Sequence, residues 1–166
     1  MIKEINTGIP SNTNKGIIKH LYSSQNWHFG WDQNSDLNID KKDSGLILNI
    51  NNSNNPVLNT YAQIIFDIVE KNTAMPFKKI ERIYWNWYHP GSITEFHEDS
   101  AEDNKFSIVY NLHDNDGGTE FIINDKVKFV ESKESMAISF PSKVKHRGIS
   151  PKNNLNRFAL NMVLEI

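Results

Sequence analysis

The chain contains no cysteine. Disulfides, cysteine-ligated zinc and iron–sulfur clusters are therefore excluded. Arginine is scarce, with only three among 18 basic residues, and the net charge is -2. No broad electrostatic attraction to nucleic acid or anionic lipid is expected from that balance. No apolar run approaches the ~20 residues that span a bilayer, so no membrane partner is expected. The opening stretch MIKEINTGIPSNTNK lacks the apolar segment of a secretory signal, and a cytoplasmic location is the expectation. What the chain has in excess is Asn, Ile and Lys, at 22, 20 and 15 residues. All three are favoured by AT-rich codons and say little about function. They do make each arginine worth explaining. At 166 residues, 38% of them hydrophobic, the chain can bury a core and is expected to form one domain, 1–166.

The pattern predicts an N-terminal support region, 1–79, followed by a β core, 80–166. Residues 1–15 read as an irregular lead-in. Ser11 or Asn12 is a possible cap for a helix carrying Ile17, Ile18, Leu21 and Tyr22. Trp27, Phe29 and Trp31 alternate as on a half-buried strand. Residues 33–44 read as a loop, 46–50 as a short strand and 51–56 (NNSNNP) as a breaker. A second helix over 57–70 carries Leu58, Tyr61, Ile64, Ile65, Ile68 and Val69 on one stripe. Eight short strand-like runs then follow, at 80–88, 93–97, 106–112, 119–123, 127–130, 136–140, 145–149 and 158–166. Many short strands split by turn residues predict a mainly β fold with flanking helices, a sandwich or jelly roll.

The strongest local feature is Phe96-His97-Glu98-Asp99. On a strand, residues i and i+2 share a face, so His97 and Asp99 can meet one metal ion. Alone, the pair reads more readily as solvated polar residues at a strand end. Of the other histidines, His20, His28 and His113 read as surface residues, His113 in the turn Asp114-Asn115-Asp116-Gly117-Gly118. His146, late in the β core, is the candidate third ligand. Two histidines and a carboxylate make the facial triad of non-haem Fe(II), which leaves metal positions open. Arg157 begins an alternating run in which Ala159 and Asn161 share its face. A buried strand arginine is costly unless it meets an anion, and its planar guanidinium fits a carboxylate. The other reading is an edge-strand arginine in water.

These residues resemble the Fe(II)/2-oxoglutarate-dependent oxygenases, which are built on a double-stranded β-helix. His97, Asp99, His146 and Arg157 follow that family's order, with the histidines 49 residues apart. Ser107–Leu112, Gly117–Phe121 and Phe140–Pro151 are similar to the prolyl-4-hydroxylase-like branch. The resemblance covers 80–166. It implies Fe(II) on His97, Asp99 and His146, 2-oxoglutarate as co-substrate with its far carboxylate on Arg157, and dioxygen. Asn86-Trp87-Tyr88-His89-Pro90-Gly91 is similar to a run in the AlkB-like branch, which implies that Asn86 and Tyr88 contact 2-oxoglutarate. Tyr110 stands near where related hydroxylases place a co-substrate tyrosine, and Asn161 joins this set.

Departures from the AlkB-like pattern at Val163 and Ala159 count against action on nucleic acid. That activity stays open as one alternative, with Lys126, Lys128, Lys143 and Lys145 as its groove. A non-catalytic cupin-like binding module is the other. The presence of Asp99 favours hydroxylation over halide transfer. Resemblance to the prolyl-hydroxylase branch implies a peptidyl proline or a small amino-acid-like molecule as substrate. Trp85, Trp87, His89 and Arg147 are candidates for its pocket, Trp27 and Trp31 for a lid, and 99–105 for a closing loop.

Overall fold

A computed structural model of the chain describes residues 2–29, 46–49, 55–73, 75–92, 94–153 and 155–166. Trp31 and the expected loop 33–44 lie outside them. The described chain runs β1 (Lys3–Asn6), α1 (Ser11–Ser23), β2 (His28–Phe29), β3 (Leu46–Asn49), α2 (Pro56–Thr73), β4 (Lys79–Tyr88), β5 (Lys105–Asn111), β6 (Asn115–Ile123), β7 (Lys126–Ser132), β8 (Met136–Pro141), β9 (His146–Ile149) and β10 (Arg157–Glu165).

Seven strands form one antiparallel sheet in the order β1-β8-β5-β10-β4-β3-β2, and three form a second in the order β7-β6-β9. The sheets face one another across Tyr88, Val109, Ile138, Phe140 and Ala159 on one side and Phe121 and Val130 on the other. The two helices cover the outer face of the larger sheet, where Ile17, Leu21, Leu58 and Ile65 meet Trp85, Ile108, Tyr110, Phe158, Leu160 and Met162. The architecture is a double-stranded β-helix with flanking helices.

Both helices start differently from the expectation. Pro10, not Ser11 or Asn12, stands at the N-cap of α1, with no side-chain cap. Its carbonyl accepts from Thr13 and Asn14. Asn55 caps α2, its Oδ1 accepting from the backbone N–H of Val57 and Leu58 at 3.1 and 3.3 Å, and Pro56 fills the first helical position, where a missing N–H costs nothing. The buried stripe of α2 is Leu58, Ala62, Ile65, Phe66, Val69 and Thr73. Ile64 is exposed, because a helix lying on a sheet buries only one arc of its circumference.

Seven of the eight expected strands are present. The described part of the run 93–97, residues 94–97, forms no strand: His97 makes a single bridge to His146. The lead-in, by contrast, contains β1, which pairs with β8 from Lys3↔Ser139 to Asn6↔Met136. Four residues with one buried apolar side chain, Ile5, carry too little alternation to be read as a strand.

Alternation along β5 and β10 decides which side chains reach the interior between the sheets. On β10, Phe158, Leu160, Met162 and Leu164 belong to the helix-side core. Arg157, Ala159 and Asn161, all buried, take the other face. On β5, Ile108 and Tyr110 face the helices. There the Tyr110 hydroxyl donates to buried Asn14 Oδ1 at 2.6 Å, and Asn14 Nδ2 donates to Ser135 Oγ at 2.9 Å.

Replacing Tyr110 by Phe strips Asn14 Oδ1 of its donor in a buried setting. Chemical denaturation should show a loss of about 1–3 kcal/mol; an unchanged midpoint would mean that this network carries no stability.

Candidate metal and anion site

His97, Asp99 and His146 each present a ligand atom within 4.8 Å of the other two. They meet at the open end of the space between the sheets. The pairing of β6 with β9 sets His146 opposite Phe121. The His146 ring is stacked on Phe121 and stands edge-on to Phe140, with centroids 6.1 and 4.7 Å away. His97 and His146 exchange both backbone hydrogen bonds of their bridge at 2.9 Å. Asp99 follows in a bend, its N–H donating to the Ser142 carbonyl at 3.0 Å. The convergence expected from strand pleating is thus produced by a bridge and a bend.

The protonation of the imidazoles is set by their surroundings. Each Nδ1 lies against a backbone carbonyl two residues earlier, His97 on Glu95 at 3.0 Å and His146 on Val144 at 2.9 Å. A proton held on Nδ1 leaves a lone pair on Nε2, the form a metal needs. Burial holds the pKa of His146 below the ordinary histidine value; Asp99 opposes that shift and His97 reinforces it. Its Nε2 is buried with no partner. His97 Nε2 lies 3.9 Å from Asp99 Oδ1, and His146 Nε2 lies 3.5 Å from Asp99 Oδ2. Two imidazole nitrogens and one carboxylate, at separations that neighbouring metal ligands adopt, fit a divalent transition ion with several positions left for other ligands.

Arg157 is fully buried. Its Nη2 donates to Asn111 Oδ1 at 3.2 Å and Thr119 Oγ1 at 3.3 Å, and its Nη1 to the Ile149 carbonyl at 3.5 Å. Its guanidinium lies 4.7 Å over the Tyr88 ring. Among the described residues no carboxylate pairs with it, and its Nε has no partner. Burial works against its charge and lowers its pKa, while Tyr88 opposes that shift. A buried guanidinium without a counter-anion is costly and marks a place for one.

Thr119, which holds Arg157, lines one cleft with His97 and His146. Tyr84, Tyr88, Thr94, His97, Val109, Thr119, His146, Gly148 and Asn161 line it. Thr119 pairs with Gly148, and Phe121 with His146. The partner of Arg157 therefore stands one two-residue step, about 7 Å, along the ladder from the metal ligand. Gly148 is required there, since a Cβ would strike the Tyr88 phenol. Asn86, between Tyr84 and Tyr88 on β4, is fully buried, and neither polar atom of its amide has a partner. Asn161 Nδ2 reaches the Tyr84 hydroxyl at 3.5 Å, and its Oδ1 is unpartnered.

Other expected site residues lie elsewhere. Tyr110 faces the helices and is tied to Asn14, so it does not reach the cleft. Trp85 and Trp87 also pack on the helix side, where Trp87 meets Tyr22, Trp27 and Phe158. Trp27 is fixed there as well, with Nε1 on the Leu21 carbonyl at 3.3 Å. His89 sits in the turn after β4, Nδ1 3.3 Å from the Pro90 carbonyl. Arg147 pairs with Glu120 at 2.7 Å and lies over the Phe96 ring at 4.4 Å. His113 is not a surface residue. Burial lowers its pKa, and its Nε2 is buried and unpartnered.

The sequence reading missed the groups that hold the ligands: Arg82 and Ser107 on Asp99, and Asn111 and Thr119 on Arg157. Arg82 carried one signal, its rarity. The others are ordinary polar residues whose parity along β5 and β6 is their only mark.

No family model matches the sequence, and no curated protein matches it. Solved structures do. A prolyl-4-hydroxylase from Pseudomonas putida is 13% identical, with a TM-score of 0.74 over 99% of this chain and 92% of that one. A prolyl hydroxylase from Trichoplax adhaerens, solved with a hypoxia inducible factor peptide fragment, is 14% identical, with a TM-score of 0.75 over 99% and 83%. HygX from Streptomyces hygroscopicus, solved with nickel, 2-oxoglutarate and hygromycin B, is 9% identical, with a TM-score of 0.72 over 99% and 82%.

His113 gives the site region a pH signature. Its folded pKa is depressed, so the unfolded chain takes up the proton first as pH falls. Stability should fall from about pH 6.5 downward, and His113→Phe should flatten part of that slope in denaturation curves taken from pH 8 to 5. An unaltered slope would mean that His113 does not contribute. The chain has the double-stranded β-helix fold of these two prolyl hydroxylases and of HygX.

Proposed function

We propose that the chain is an Fe(II)- and 2-oxoglutarate-dependent dioxygenase that hydroxylates a C–H bond of a peptidyl proline or a small amino-acid-like molecule. The observation that carries this reading is the pairing of two features at one cleft. One is a His-Asp-His set poised for a metal. The other is a buried guanidinium, held by Thr119 and with no carboxylate partner among the described residues. A divalent metal with a dicarboxylate co-substrate satisfies both. HygX binds nickel and 2-oxoglutarate, and the Trichoplax prolyl hydroxylase binds a peptide, which supports the same chemistry on this fold.

In this reading His97 and His146 bind iron through Nε2, and Asp99 supplies an anionic oxygen. Iron held there, with 2-oxoglutarate and dioxygen, would supply the oxidising power to place one oxygen atom on the substrate carbon and the other in succinate, with loss of carbon dioxide. Arg157 would take the far carboxylate of 2-oxoglutarate as a charged donor, its Nε–H being the one left without a partner. Thr119 and Asn111 keep the guanidinium in place, and the Tyr88 ring, seated against Gly148, covers it. Asn86 and Asn161 offer unpartnered amide groups on the same face. Phe121 and Phe140 keep bulk water from the back of His146.

Anaerobic addition of Fe(II) and 2-oxoglutarate to metal-free protein tests this. The expected result is a visible charge-transfer band that His97→Ala abolishes. Arg157→Ala should weaken 2-oxoglutarate binding on the order of 100-fold, the loss of a charged pair of hydrogen bonds. No band in well-folded parent protein would remove the oxygenase reading.

A further inference from the structure

The two histidines of the triad are fixed by backbone carbonyls of their own segments. The carboxylate is held differently, by side chains from two other strands. Asp99 Oδ1 accepts from Arg82 Nη2 at 2.6 Å, and Asp99 Oδ2 accepts from Ser107 Oγ at 2.6 Å. Ser107 Oγ lies 2.9 Å from the hydroxyl of buried Ser142, whose carbonyl takes the Asp99 N–H. The Asp99 side chain is 4% exposed and that of Arg82 45%. Arg82 stands on β4 two residues before Tyr84, its guanidinium 5.3 Å from that ring. The nearby Glu81 does not compete for it, being engaged by Lys105 and Lys79 at 2.8 and 3.2 Å.

We infer that Arg82 is the positioning residue of the metal site, acting on the metal only through Asp99. This rests on reading His97, Asp99 and His146 as metal ligands. The terminal torsion of an aspartate is broad, so an unheld carboxylate samples many orientations. A planar guanidinium bonded to one oxygen and a hydroxyl bonded to the other fix both the plane and the position of the group. The held carboxylate costs no ordering when a metal arrives. The clamp also limits how Asp99 binds. With a charged donor on Oδ1, ligation through both oxygens would have to displace Arg82. Asp99 would thereby be restricted to one coordination position, leaving the remaining positions to other ligands. Arg82 also offsets the charge of the nearly buried carboxylate before any metal arrives.

The test is Co(II) titration of metal-free protein, read both as affinity and as the visible absorption of the bound ion, which reports coordination number and geometry. Parent protein, Arg82→Ala, Arg82→Lys and Arg82→Gln are compared at matched thermal stability. Arg82→Ala should bind Co(II) about 10–100-fold more weakly, the usual cost of losing a group that orients a ligand, and its spectrum should shift as Asp99 becomes free to use both oxygens. Arg82→Lys keeps the charge without the fork and should recover part of the affinity. A folded Arg82→Ala with parental affinity and spectrum would overturn the inference while leaving the metal site intact. If Arg82→Ala does not fold, parental binding and spectrum in folded Arg82→Gln would overturn it equally. Parent protein that binds no Co(II) would remove the metal reading and this inference with it.

Discussion

Two backbone hydrogen bonds, from His97 N to His146 O and from His146 N to His97 O, hold together everything chemical in this molecule. They fasten a segment that is not itself a strand to the edge of the small sheet. His97 arrives on that segment and His146 on the strand, so the bridge is what makes one site from two pieces of chain 49 residues apart. The hydrogen bonds of Asp99 and Ser100 to the Ser142 carbonyl repeat the tie one turn away. With both ties in place the backbone brings the three residues together, and the side-chain bonds on Asp99 set the orientation of its carboxylate.

The second constraint is the pleat. Strand β10 must satisfy two different neighbours at once, helices on one face and a polar cleft on the other. Its even-numbered residues up to Leu164 are apolar and close the helix-side core. The opposite face carries Arg157, Ala159 and Asn161, with Ala159 small enough to leave room between two polar side chains. Strand β4 repeats the division, with Tyr84 and Tyr88 lining the cleft and Trp85 and Trp87 on the helix side. The interior between the sheets therefore carries several polar atoms without partners. That is expensive for a fold, and the helix-side core, with its large aromatic and aliphatic side chains, provides the compensating burial.

This division also explains what could be read from the chain. His97, Asp99, His146 and Arg157 were legible because metal and anion chemistry accept few residue types, and their order along the chain is distinctive. The β-rich second half was legible because turn residues punctuate it. The face a side chain takes was harder. Trp85 and Trp87 read as pocket candidates, although with Asn86 and Tyr88 in the cleft their parity puts them on the other side of the sheet. Tyr110 could not be placed so easily, since β5 is buried on both faces and shows no polar-out pattern. Only Ser107 and Asn111, at odd positions like Val109, hinted at which face was wet. Arg82 reaches Asp99 across 17 residues, from strand β4 to the bend before β5, a distance no local pattern reports.

The hairpin of β6 and β7 turns through Asn124 and Asp125, both in the left-handed region at φ 49° and 59°. That geometry matches the twist of the flanking strands, and it leaves β7 as an outer strand of the small sheet. Phe129, although 45% exposed, lies across Gly118, where its ring carbons come within 2.8 Å of the position a Cβ would occupy. Its exposure is thus partly a cover for a glycine that would otherwise leave a gap in the strand. A strand paired on one side only among the described residues, with two exposed apolar side chains, Val127 and Phe129, is a template for self-association. Lys126 and Lys128 alternate with them, and a lysine on an open edge repels a second copy approaching in register. With a net charge of only -2 over the whole chain, long-range repulsion between copies is weak. Colloidal stability then rests on where these two charges sit more than on how many the protein carries.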